Sequence, residues 1–142
     1  MLVAEILKDK GDAVFSIEPA VSVGEAAGVL ANRRVGALIV CEGDRVAGVF
    51  SERDVVRAIA QDGPASLGRP VKDYMSVEVV YARPGDTVAD LMGRMTDRRI
   101  RHLPVLKDQR LCGVVSIGDV VKCQIAEATQ EADSLRTYIA AG

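Results

Sequence analysis

Gly48-Val-Phe-Ser-Glu-Arg-Asp54 and, further along, Gly113-Val-Val-Ser-Ile-Gly-Asp119 decide how this chain is read. Each runs from a strand-like end into Ser-x-x-Asp, a spacing in which the serine caps a new helix and the acid at the third helical position closes the box. The same turn has a second chemical use. Free N–H groups and the positive end of the helix dipole favour an anion, and the carboxylate can accept two hydroxyl hydrogen bonds. A helix cap and a ligand site both fit these residues.

Working outward from the two heptapeptides, a constant offset lays residues 14–56 on residues 79–121 without a gap. Pro19 falls on Pro84, Val23 on Val88, Gly28 on Gly93, Arg33-Arg34 on Arg98-Arg99, Leu38 on Leu103 and Val40 on Val105. Fifteen of the 43 positions are identical and ten more exchange one apolar residue for another, so the chain is a tandem duplication. Each copy predicts a short strand (14–17; 79–82) ending near a proline, then a helix opened by Ser22-x-x-Glu25 or Thr87-x-x-Asp90. Val23, Ala26, Ala27, Leu30 and Val88, Leu91, Met92, Met95 give those helices one apolar stripe. Two strand-like runs follow, 37–41 with 46–50 and 102–106 with 111–115, each pair split by a polar turn. A second helix starts at Ser51 or Ser116. The unit is β-α-β-β-α, and one unit alone leaves an apolar sheet face that the second copy buries.

This duplicated unit, with its two heptapeptides and with Ile100-Arg-His-Leu-Pro-Val105, resembles the CBS domain. So do the leaders Val3-Ala-Glu-Ile-Leu7 and Val71-Lys-Asp-Tyr-Met75, one before each unit. The resemblance implies an α+β fold of two pseudo-twofold-related units packed sheet to sheet, in a stand-alone bacterial-type protein. It divides the chain into a first unit with its leader (1–61), a linker (62–72) rich in glycine and proline, a second unit (73–124) and a C-terminal helix (125–142). It further implies an adenosine-containing ligand between the units: AMP, ADP or ATP, with NAD or S-adenosylmethionine as alternatives and no catalytic cofactor. Carried over, Ser51 and Asp54 serve one cleft and Ser116 and Asp119 the other. The acid takes ribose hydroxyls and the serine takes phosphate. Arg101 and His102, ahead of Leu103-Pro104, reach phosphate, while Ile17 and Val80 contact adenine through the backbone. Arg53 and Arg57 lie near the first motif, where phosphate contacts and a solvated face fit equally.

The two copies are unequal. Gly36, Ala37 and Ile39 occupy the positions of Arg101, His102 and Pro104, so unequal clefts are expected. The arginine pairs fall at helix ends, where cations complement the dipole in any protein.

Composition limits the other readings. With 142 residues, 49% hydrophobic and 27% charged, the chain is an ordinary globular sequence, without room for a separate catalytic domain. A net charge of -2 provides no general attraction to nucleic acid. No apolar run reaches bilayer length and the first residues carry no secretory signal, so a cytoplasmic protein with no membrane role is expected. Cys41, Cys112 and Cys123 lack metal-ligand spacing and read as reduced, mostly buried thiols. His102, the sole histidine, has no nucleophile or acid partner in the sequence, and an enzyme is not expected.

Beyond the second unit, Val121, Ile125, Ala128, Ala132, Leu135 and Ile139 keep a coiled-coil spacing. They predict a continued helix that either folds back on its own units or supplements a contact between two such pairs of units in a homodimer. A regulated partner protein completes the expectation; a ligand-free dimerisation module is the competing one.

Overall fold

A computed structural model of the chain describes residues 1–11 and 14–141. The elements run α1 (Val3–Lys10), β1 (Ser16–Ile17), α2 (Val23–Arg33), β2 (Ala37–Glu42), β3 (Arg45–Ser51), α3 (Glu52–Asp62), α4 (Val88–Arg98), β4 (His102–Lys107), β5 (Arg110–Ser116) and α5 (Ile117–Ala141). Two 3₁₀ turns, Gly63–Gly68 and Val71–Asp73, occupy the connection between the units. Residue 142, expected at the end of the last helix, lies outside the described residues.

The two hairpins, β2–β3 and β4–β5, are antiparallel and share one irregularity, a register shift after Val40 and after Val105. Their turns put Gly43, and Asp108 with Gln109, at positive φ, the backbone that matches the twist of paired strands. Helices α2 and α4 begin where the capping signals lie. Ser22 Oγ accepts from the Glu25 amide at 3.2 Å, while Thr87 and Asp90 form the full reciprocal box at 3.1 and 3.3 Å. Both helices end on the second arginine of a pair, Arg34 and Arg99, in left-handed conformation at φ 54° and 53°. Val23, Ala26 and Leu30, and Val88, Leu91 and Met95, are buried as the stripes require. Met92, also placed on the stripe, stays 40% exposed at its margin.

The copies differ at their first strand. In the first, β1 pairs parallel to β2, and the Ile39 amide donates to the Phe15 carbonyl at 3.3 Å. In the second, the strand expected over 79–82 reduces to one isolated bridge, Ala82 with Val105. The cause is Pro104, which stands where Ile39 does and has no N–H to donate to Val80, the counterpart of Phe15. The Ala82 amide and carbonyl still bond to the Pro104 carbonyl and the Leu106 amide, both at 2.9 Å, so the segment is pinned at that one residue.

The leaders exchange places. Val3 and Ile6 of α1 belong to the core of the second unit with Val88, Leu91, Leu103, Val105 and Val120. Val71, with Tyr74 and Met75 beside it, packs into the core of the first with Val23, Leu38, Val40 and Phe50. Because each core needs a segment from the other half, and β3 touches β5 directly, the units form one body. A backbone bridge ties Val49 to Ser76 with two hydrogen bonds of 3.0 Å.

Helix α5 continues through the expected extension. Its last buried residue is Cys123, and every described residue from 128 onward is exposed. The alternative of packing back on its own units is not what this helix does. Of the three thiols, Cys123 is buried and Cys41 and Cys112 are half-buried, all unpaired. No helix among the described residues is long and apolar enough to cross a membrane.

Candidate functional site

At the end of β3 the chain turns into α3, and here the first heptapeptide takes its predicted shape. The Ser51 amide donates to Asp54 Oδ2 at 2.9 Å, the Ser51 hydroxyl to the same oxygen at 3.2 Å, and the Asp54 amide to Ser51 Oγ at 3.4 Å. The second carboxylate oxygen pairs with Arg57, a side chain that is itself 63% exposed. Asp54 is 2% exposed, so this acid sits on the wall beneath the turn. The capping reading is therefore realised in full.

The turn opens onto a cleft of about 260 Å³ whose opposite wall belongs to the second unit. Ser51, Arg53, Asp54 and Arg57 line one side; Val80, Arg99, Arg101 and His102 line the other. The structure thus gathers six of the residues expected at a site, Ser51, Arg53, Asp54, Val80, Arg101 and His102, around one space. The basic groups of the second copy face the motif of the first. Glu52, Ser76 and Glu78 complete the polar lining. Four arginines against three carboxylates make the cleft basic in a chain of net negative charge.

His102 enters this space because residue 36 is glycine. A methyl group at Gly36 would lie 2.9 Å from the imidazole Cε1 and 3.1 Å from Nε2. The small residues of the first copy, which from the sequence look like a loss of basic groups, are the room into which the second copy's histidine fits. Burial pushes His102 below its ordinary 6.5, Lys10 and Arg101 push the same way, and Glu52 and Asp119 oppose them. The ring is neutral at neutral pH and ready to take a proton beside an anion. On the same wall, Val80 carries a carbonyl that Pro104 cannot serve, and Arg94 holds the neighbouring Tyr81 carbonyl at 3.0 Å.

Elsewhere the expected residues take other places. Ser116 and Asp119 repeat the cap on α5, with the Ser116 amide on Asp119 Oδ2 at 2.8 Å and the Asp119 amide on Ser116 Oγ at 3.2 Å. Lys10, at the end of α1, puts its ammonium 2.6 Å from the same Asp119 oxygen and 2.8 Å from the Val114 carbonyl. Burial, the largest influence, pushes Asp119 up, but Lys10 and Ser116 outweigh it and hold the acid below its usual value. Pro104 is buried within β4 and acts on the cleft only through the hydrogen bond it withholds. Ile17 packs against the first core and does not line the basic cleft.

Sequence reasoning missed Lys10, Glu52, Ser76 and Glu78. Lys10 lies outside residues 14–56, which the offset aligns, and meets Asp119 only through the fold. Ser76 and Glu78 carry no signal either, since they reach the cleft only through the exchange of leaders.

The CBS domain family matches the chain twice, over residues 3–61 and 71–126. A mitochondrial CBS domain-containing protein of Arabidopsis thaliana is 39% identical over 126 residues; these cover 85% of this chain and 61% of that protein, so the chain spans less than two thirds of its relative. The crystal structure of a CBS-domain-containing protein from Agrobacterium tumefaciens superposes with a TM-score of 0.86 at 43% identity, covering 87% of this chain and 99% of the other. A CBS domain protein of Pyrobaculum aerophilum, solved in complex with AMP, does so with a TM-score of 0.75 at 29% identity, covering 84% and 89%.

Proposed function

Since this chain belongs to the CBS domain family and carries two of its units, we propose that it binds an adenine nucleotide, AMP, ADP or ATP, in the basic cleft and reports the ligand to a partner protein. The observation that carries the reading is the convergence, on one cleft, of a buried acid at a helix N-terminus from the first unit with Arg101 and His102 from the second. The likeness to a relative complexed with AMP supports the ligand class.

The roles follow from chemistry. Asp54 accepts the ribose hydroxyls once Arg57, an exposed side chain, gives up its oxygen. Ser51 and the first turn of α3 receive phosphate, with Arg53, Arg101 and a protonated His102 as charge-assisted donors. The Val80 backbone reads the adenine edge. A basic lining favours phosphate-bearing ligands over a cationic S-adenosylmethionine.

Because the ligand would touch both units, binding favours one relative tilt, and a partner that senses tilt reads occupancy. Thermal-shift measurements against AMP, ADP, ATP, NAD, S-adenosylmethionine and adenosine test this directly, since a native-state ligand raises the unfolding midpoint. A rise with the phosphate-bearing adenine ligands is expected, and no shift with any of the six would overturn the proposal. In the variant Arg101→Ala, AMP affinity should fall toward that of adenosine while adenosine itself is unaffected.

A further inference from the structure

We propose that the exposed end of α5 pairs with the same segment of a second copy of this chain, parallel and in register, as a short two-stranded coiled coil. Fourteen residues of helix, 128–141, stand exposed beyond the body. No described residue of its own chain covers the apolar face of this stretch. One face supplies the seam: Val121, Ile125, Ala128, Ala132, Leu135 and Ile139 step by four and three throughout. Ile125, Leu135 and Ile139 are 62%, 60% and 67% exposed, and Val121, at the root of the seam on the body, is 49% exposed. The apolar stripe therefore runs unbroken from the body to the tip. The matched family region ends at residue 126, so the projecting helix is an addition to the two units rather than a part of them.

Charge selects the partner and its direction. With Ile125, Ala132 and Ile139 at the a positions and Ala128 and Leu135 at d, Glu131 takes a g position and Arg136 the following e position. In a parallel in-register pair, Glu131 of each copy meets Arg136 of the other, twice by symmetry. An antiparallel pair sets g against g and e against e, which brings Glu131 to Glu131 at the centre and leaves Arg136 facing Lys122 or Thr129. Within its own helix Arg136 reaches only Asp133, at 3.8 Å. Ala128 and Ala132 leave the two backbones free to approach closely midway along the seam.

The full chain is tested by sedimentation equilibrium. Dimerisation is expected, weakened by roughly tenfold or more for each of Leu135→Glu and Ile139→Glu. Both residues lie outside the body, so a single cooperative unfolding transition retained in each variant would show the body intact. Arg136→Glu should weaken the dimer severalfold, and adding Glu131→Arg should restore it. Direction is read from Ile139→Cys: a parallel pair yields a covalent dimer under mild oxidation that wild type, with its three native cysteines, does not form. A monomeric wild type, a dimer indifferent to Leu135→Glu and Ile139→Glu, or failure of Ile139→Cys to cross-link would each overturn the proposal.

Discussion

Replacing Ser51 by alanine separates the two uses of its hydroxyl, because the duplication supplies a matched control. Ser51 and Ser116 cap α3 and α5 in the same way, accepting from the Asp54 and Asp119 amides at 3.4 and 3.2 Å. Loss of an N-cap hydroxyl costs about 1 kcal/mol, and for a domain of this size that lowers the unfolding midpoint by roughly 3–5 °C. Ser51→Ala and Ser116→Ala should therefore lose similar stability. They should differ in binding. A hydrogen bond to a charged phosphate contributes about 1.5–3 kcal/mol, so Ser51→Ala should weaken AMP by roughly 10- to 100-fold, whereas Ser116→Ala should leave it unchanged. Scanning calorimetry measures the first quantity and titration calorimetry the second. If both variants weaken AMP alike, or if Ser51→Ala lowers only the midpoint, the hydroxyl of Ser51 is a cap and nothing more.

Three further outcomes follow. His102 is held below its ordinary 6.5 chiefly by burial, so without ligand the unfolded chain takes up that proton first; stability is complete above about pH 6.5 and declines as pH falls below it. A bound phosphate reverses the preference, and the ratio of AMP affinities between wild type and His102→Gln should grow from about pH 8 to about pH 6; a flat ratio would remove the imidazole from the site. Lys10→Ala frees Asp119 and the Val114 carbonyl, and should raise AMP stoichiometry from one toward two per chain; an unchanged value would show that Lys10 does not guard the second motif. Gly48→Ala would set a methyl group 2.6 Å from the Ser76 carbonyl and 2.8 Å from Met75 Sδ, while Gly113→Ala meets only the flexible end of Leu7 at 2.5 Å. The first should lose about 1–3 kcal/mol and clearly more than the second, as measured by urea denaturation.

Much of this architecture was legible because it is local. Ser22, Ser51, Thr87 and Ser116 announce helix starts whatever surrounds them, and the offset between the copies makes each element its own check. Even the missing strand at 79–82 was written in Pro104, whose effect on a neighbouring carbonyl needs only the pairing of the first copy to be foreseen. The exchange of leaders was not legible: Val3, Ile6 and Leu7 carry the same apolar character as Val71, Tyr74 and Met75, and either set suits either core. The composition of the cleft depends on that exchange. Arg101 and His102 were expected near phosphate from resemblance, but their facing Ser51 and Asp54 is tertiary, and Gly36 makes sense only beside the imidazole that fills its missing side chain. Lys10 lies 109 residues from Asp119 and meets it through the fold alone.

The central claim, that an adenine nucleotide is held between Ser51 and Asp54 of one unit and Arg101 and His102 of the other, is tested most directly by a crystal structure of the protein grown with AMP. One nucleotide per chain is expected in the basic cleft, with its ribose hydroxyls on Asp54 and its phosphate among Ser51, Arg101 and His102. AMP bound beside Ser116 and Asp119 with the basic cleft empty, or no nucleotide at saturating concentration, would contradict it.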